Sequence, residues 1–192
     1  MKDRITSPAL GELSKLGLSK AFLSFIHILD KALSPSWEFY IKPHLNGLRP
    51  DLVILNPYVG VSVFQFYEMP LEQIDFSARA SKDSPPQLYL TQHGNRQEFP
   101  PKYNPIEKLF SFKREMVDLY CLRLKTSTAI KRITSGVVFP FNNYHEVILK
   151  FRHAIEHRTE IGRYPQSYPI LCKEHLNKDS ILKRPFLSSK SA

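Results

Sequence analysis

Apolar residues early in the chain recur at mostly three- and four-residue steps: Leu10, Leu13, Leu16, Phe22, Leu23, Ile26, Leu29 and Leu33. That spacing predicts a helix over 8–33, weakened near its start by Gly11 and Gly17. "SPSW" (34–37) breaks it, and the alternation in "WEFYIKPHLNG" (37–47) predicts a strand running into a turn at Asn46-Gly47. Two more strands follow, at 51–56 and 60–67. Residues 68–104 read as irregular, with Pro70, Pro85, Pro86, Pro100 and Pro101 around one short strand candidate, "QLYLTQ" (87–92). The next helix has clear start signals: Asn104 as N-cap, Pro105 at the first helical position and Glu107 three residues after the cap. Ile106, Leu109, Phe110, Val117, Tyr120 and Leu124 form its apolar stripe. "ITSGVVFPF" (133–141) predicts a buried strand and "YHEVILKFRHAIEH" (144–157) a short helix. The tail from 160 carries Pro165, Pro169 and Pro185 around a weakly helical stretch at 172–182. The order predicts an α/β fold with a mixed central sheet flanked by helices, without the regular βαβ alternation of a doubly wound fold.

Composition adds size and charge. The chain has 192 residues, 42% of them hydrophobic and 12% aromatic, enough for one domain with a normal core. No run of about 18 apolar residues is present, so no membrane helix is expected, and the N-terminus lacks a signal-peptide core. Cys121 and Cys172 stand 51 positions apart, form no metal spacing and read as reduced thiols of a cytoplasmic protein. The formal charge of +9 is uneven. Residues 51–101 hold three Lys/Arg against six Asp/Glu, residues 102–132 eight against three, and 133–192 nine against five. A basic surface around an acidic centre suits a phosphate backbone, although excess lysine also serves solubility.

The strands at 51–56 and 60–67 carry the candidate chemistry. The stretches "WEFYIKPHLNGLRPDLVILNPYVGVSVFQF" (37–66), "YNPIEKLFSFKREM" (103–116), "GVVFPF" (136–141) and, loosely, "PILCKEHL" (169–176) resemble the nuclease-related domain, or NERD, family. That family has the restriction-endonuclease-like PD-(D/E)xK fold. The version most resembled is the N-terminal module of bacterial UvrD-like superfamily-one DNA helicases. The resemblance divides the chain into an N-terminal helical segment (1–36), a nuclease-fold core (37–160) and a tail (161–192) that would lead to a helicase domain. This chain has no G-x-x-x-x-G-K-[ST] and so carries no motor of its own.

Active members of the family carry an Asp on one strand and a Glu-x-Lys on the next. The Asp position is Asp51, after Pro50; the Glu position falls on Gln65 and the Lys position on Tyr67. The chemistry needs Mg²⁺ or Mn²⁺ to polarise the phosphate and activate water, held by hard anionic oxygens. Gln65 keeps an oxygen but loses the charge. Tyr67 offers a hydroxyl donor but no cation to stabilise the transition state. A lysine relocated onto the neighbouring helix would be Lys113, within its stripe, or Lys108, where the family often has Gln. Glu68 would need a strand bulge to help, because it points away from 65 and 67. Glu38 is a further carboxylate on the preceding strand.

Other groupings carry less. His153 and His157 have a zinc-compatible spacing but no third ligand at a telling distance. Arg49 suits either a phosphate or a carboxylate, and Lys131-Arg132 suits a backbone contact. Three functions are consistent with these residues. The favoured one is a DNA-binding or helicase-associated accessory module with a degenerate metal-binding site at Asp51 and Gln65. The others are a metal-dependent DNA endonuclease with relocated residues, and a protein-interaction module that docks a helicase or ATPase partner.

Overall fold

The structure, a computed structural model, describes residues 5–7, 15–45, 47–76, 87–92, 94–100, 103–120, 132–184 and 187. The elements in chain order are β1 (Ile5–Ser7), α1 (Lys20–Ala32), β2 (Glu38–Ile41), β3 (Leu52–Asn56), β4 (Gly60–Phe66), β5 (Ile74–Phe76), β6 (Leu88–Gln92), β7 (Asn95–Phe99), α2 (Pro105–Glu115), β8 (Ile133–Phe139), α3 (Tyr144–His157), α4 (Thr159–Arg163), β9 (Ile170–Cys172) and α5 (Lys178–Leu182). Six strands form one mixed sheet in the order β1-β2-β3-β4-β8-β9. β2–β3 and β3–β4 pair antiparallel, whereas β1 lies parallel to β2, β8 parallel to β4 and β9 parallel to β8. The fold is therefore α/β with a mixed central sheet flanked by helices.

Strand alternation sorts the side chains onto two faces. Phe39, Ile41, Leu52, Ile54, Phe64 and Val138 pack beneath α1 against Phe22, Phe25, Ile26 and Leu29. On the opposite face Val53, Val63 and Ile133 meet Phe112 and Met116 of the α2 segment. Farther along that face Val137 and Phe139 meet Ile106 and Leu109 of α2 and Val147, Phe151 and Ala154 of α3. All seven residues of β8 are buried, the polar Thr134 and Ser135 among them, because the strand is covered on both sides. α3 has the predicted span and begins with a full capping box between Asn143 and Glu146.

Several boundaries differ from the sequence reading. The first helix begins at Lys20, where the Ser19 side chain accepts the Phe22 N–H. Gly17, at φ +58°, turns the chain before it, and residues 8–14 lie outside the described residues. The strand after "SPSW" stops at Ile41 because Lys42 takes a left-handed conformation, φ 46°. The segment 68–104 is more regular than expected: β5, β6 and β7 form a separate antiparallel sheet, with Gly94 at φ +78° between β6 and β7. β9 extends the main sheet from the tail and is buried in all three residues.

At α2 the Asn104 side chain caps Ile106 N–H, but Glu107 does not close the capping box; its carboxylate turns to Arg158 instead. The helix passes into a π-helical turn over Met116–Tyr120, which shifts its phase. Phe112 and Met116, three and seven residues beyond Leu109, are buried, while Val117 is half-buried and Tyr120 exposed. Leu124 and Cys121 lie outside the described residues.

Gly60 opens β4 at φ +140°, where a Cβ would stand 2.1 Å from the Arg132 carbonyl oxygen. That carbonyl accepts the Val61 N–H at 3.0 Å, tying β4 to the start of β8. Gly60→Ala is expected to cost about 1–3 kcal/mol in urea unfolding.

Candidate functional site

Asp51 stands immediately before β3, where its backbone N–H donates to the Phe64 carbonyl at 3.0 Å. The β3–β4 register, Leu52 against Phe64, sets Asp51 opposite Gln65 on the face that α2 covers. Asp51 Oδ2 accepts the Phe66 backbone N–H at 2.7 Å and is also bonded by Gln65 Nε2. The other end of the amide, Gln65 Oε1, faces Lys108 Nζ of α2 at 3.4 Å. Three of the residues singled out in the sequence thus form one chain: carboxylate, amide, ammonium.

Burial pushes the Asp51 carboxyl above its ordinary value, opposed by the Phe66 N–H, by Lys42 and Lys108 and by the Gln65 amide. The same burial pushes Lys108 down, with Asp51 pulling it back up. Lys108 also lies 5.8 Å from the centre of the half-exposed Tyr103 ring. Lys42, which the sequence reading placed within a strand, is the residue it missed. Its N–H donates to the Asp51 carbonyl at 2.8 Å and its charge acts on the Asp51 carboxylate. The only signal for it was the "KP" pair that ends the strand.

The remaining candidates lie elsewhere. Tyr67 is buried, with its ring 5.3 Å from Phe139 and 6.4 Å from Phe151, and its hydroxyl faces Met69 Sδ at 3.5 Å. Burial raises that phenol to about 12, so it stays protonated. Tyr67 therefore belongs to the core under α3 and does not stand in for the family's lysine. Lys113 lies five residues beyond Lys108 and so roughly 140° round the helix; its ammonium sits over the Tyr168 ring at 4.6 Å. Arg49 is exposed two residues before Asp51. Arg132 is at the opposite end of β4 from Gln65, roughly 17 Å away along the strand. Lys131 lies outside the described residues. Glu38 pairs across from Leu55, about 13 Å along β3 from Asp51, and bonds Tyr40 Oη. Glu68 is exposed.

The donor set does not fit a divalent cation. Mg²⁺ and Mn²⁺ want several hard anionic oxygens. Here a single carboxylate already accepts two N–H groups, and the amide oxygen beside it faces a lysine ammonium. Among the described residues no group of three or more His, Cys, Asp or Glu could hold a metal, His153 and His157 included.

Burial lowers Lys113 from 10.5 to about 8. The folded protein then gives up this proton before the unfolded chain does, so stability rises between about pH 8 and 10.5. Lys113→Met should therefore stabilise the protein by about 1 kcal/mol near pH 7, or roughly 2–4 °C, and the advantage should fade above pH 8. Thermal melts at pH 6.5 and 9.5 check both the sign and the trend.

No helix among the described residues is long and apolar enough to cross a membrane. No protein-family model, no curated protein and no solved structure matches the chain.

Proposed function

We propose that the chain is a nuclease-fold module that holds the phosphodiester backbone of DNA without cutting it. The observation that carries this reading is the position of Lys108. Its ammonium stands at the Gln65 oxygen, next to the carboxylate, where a cutting site would need a metal ion. Positive charge at the site is thus part of the side-chain set rather than borrowed from solution. Lys42 and Arg49, both exposed at the Asp51 end of β3, extend that charge outward. Phosphate oxygens accept from such groups whatever the base sequence, so the expected contact is to the backbone alone.

The order of elements also supports the family reading. Helix α1, the meander β2–β3–β4, helix α2 and the parallel strand β8 follow the order on which the resemblance rests. The net charge of +9 suits the same partner. A cytoplasmic setting, and a helicase or ATPase that this module would accompany, belong to the same proposal. Cys172 is buried and free, its thiol pushed up to about 12 by burial, which suits a reducing compartment.

Fluorescence anisotropy on a labelled duplex tests the reading. Binding in EDTA should fall steeply with salt, as counterion release requires. The double variant Lys42→Gln, Arg49→Gln should bind more weakly and lower the slope of log affinity against log salt by about 2. An unchanged slope would remove these two residues from the interface, and no binding at low salt would remove DNA.

A further inference from the structure

On the other side of α2 from Lys108 lies a cavity of about 410 Å³. Its charged and titratable lining consists of Glu107, Lys113, Arg114, Asp118, Arg158 and Tyr168. Two of the three cations are matched. Arg158 forks onto both carboxylate oxygens of Glu107, with Nε at 3.1 and 3.2 Å, and Arg114 Nε lies 3.7 Å from Asp118. Lys113 is left over. Its side chain is only 6% exposed, and among the described residues it has no hydrogen-bond or ion-pair partner. Its ammonium has the Tyr168 ring at 4.6 Å, and that ring stacks on Phe110 at 4.7 Å, which in turn lies under Arg158.

A buried cation without a counter-charge is costly, and its proton is held loosely for that reason. A ring face relieves part of the cost but accepts no hydrogen bond. The ammonium therefore keeps unused donors in a cavity whose volume falls within the range of small-molecule sites. We propose that this cavity binds a phosphate-type oxyanion, with Lys113 as its principal donor and Arg158 and Arg114 at its rim. The stacked Phe110–Tyr168 pair forms a stiff wall that fixes where Lys113 ends. The group could belong to a free small phosphate or to the terminal phosphate of a nucleic-acid strand. The charge logic is the same for both, and it is independent of the Asp51 site.

Isothermal titration calorimetry of the full chain with sodium pyrophosphate at pH 7 is the test. The wild type should bind one equivalent. Lys113→Met should lose at least tenfold in affinity, Lys113→Arg should retain part of it, and the exposed Lys178→Ala should match the wild type. Affinity should also fall from pH 7 to 9 as the amine loses its proton. Competition by a 5′-phosphorylated oligonucleotide, and not by its unphosphorylated twin, would assign the site to strand ends. Indifference to both would assign it to small phosphates. Equal affinity in wild type and Lys113→Met would overturn the proposal, because the pyrophosphate would then be held by scattered surface cations. Absence of binding by a folded wild type would overturn it as well.

Discussion

Tyr67→Lys is expected to destabilise the protein by about 3–5 kcal/mol, a loss of roughly 6–20 °C in Tm for a chain of this size. By the family pattern the substitution should restore the missing lysine. By the geometry it removes an aromatic ring packed against Phe139 and Phe151 and buries an ammonium in its place. Tyr67 belongs to a hydrophobic cluster that includes Leu71, Ile74, Val137, Phe139, Val147 and Phe151. Tyr67→Phe is the informative companion. Among the described residues the hydroxyl donates to a thioether sulfur, at 3.5 Å, which is a weak acceptor. That variant should melt within a degree or two of wild type and bind DNA equally well. Urea unfolding of both variants measures the difference directly. A stable Tyr67→Lys would mean that the ring does not fill the core as described.

The second large effect is a gain. Gln65→Glu combined with Lys108→Gln should acquire Mn²⁺ binding that the wild type lacks. The pair of changes adds one negative charge and removes one positive charge within contact distance of a would-be dication. At an effective dielectric of about 20, a unit pair 4 Å apart is worth about 4 kcal/mol. Even heavily discounted for desolvation, two such changes beside a dication should raise affinity by at least about 100-fold. Gln65→Glu alone should do much less. Lys108, already 3.4 Å from the Gln65 oxygen, would pair with the new carboxylate and keep the dication out. Electron paramagnetic resonance of free Mn²⁺ distinguishes the three proteins. Metal uptake by the wild type equal to that of the double variant would refute the reading of Lys108 as the occupant of the cation position. In EDTA the double variant should also bind DNA more weakly, since the site becomes more negative by two charges.

The parts of the fold that were legible are those where a single segment carries its own pattern. β8 ends in the apolar run Val137–Phe139 and is covered on both faces, and the span of α3 is marked by its own 14 residues. β3 and β4 were legible for the same reason, whereas the grouping of Asp51 with Gln65 came from the family resemblance and not from either strand's pattern. β7, "NRQEF", was not, because its described side chains are exposed and no alternation marks them. β9 is three residues long, too short for any period, and is a strand only because β8 offers it an edge.

Within the site, Lys108 and Lys113 were both in view, but their assignment depended on the helix phase. The π-helical turn begins at Met116, so a regular wheel no longer holds beyond it: Val117 is only half-buried and Tyr120 is exposed, although both fell on the predicted stripe. Tyr67 was misplaced for a different reason. Alternation puts 65 and 67 on one face but does not say that this face changes character within two residues. Gln65 meets Asp51 and Lys108, whereas Tyr67 meets aromatic rings supplied by β8 and α3, from 72 and 84 positions downstream.

The most direct measurement is a nicking and cleavage assay on supercoiled plasmid and single-stranded DNA, in Mg²⁺, in Mn²⁺ and in EDTA, with Asp51→Ala run beside the wild type. The expected result is intact DNA in every lane, together with binding by the wild type that is the same with and without metal. Cleavage that needs the metal and disappears in Asp51→Ala would contradict it, and would make Asp51, Gln65 and Lys108 a working nuclease centre.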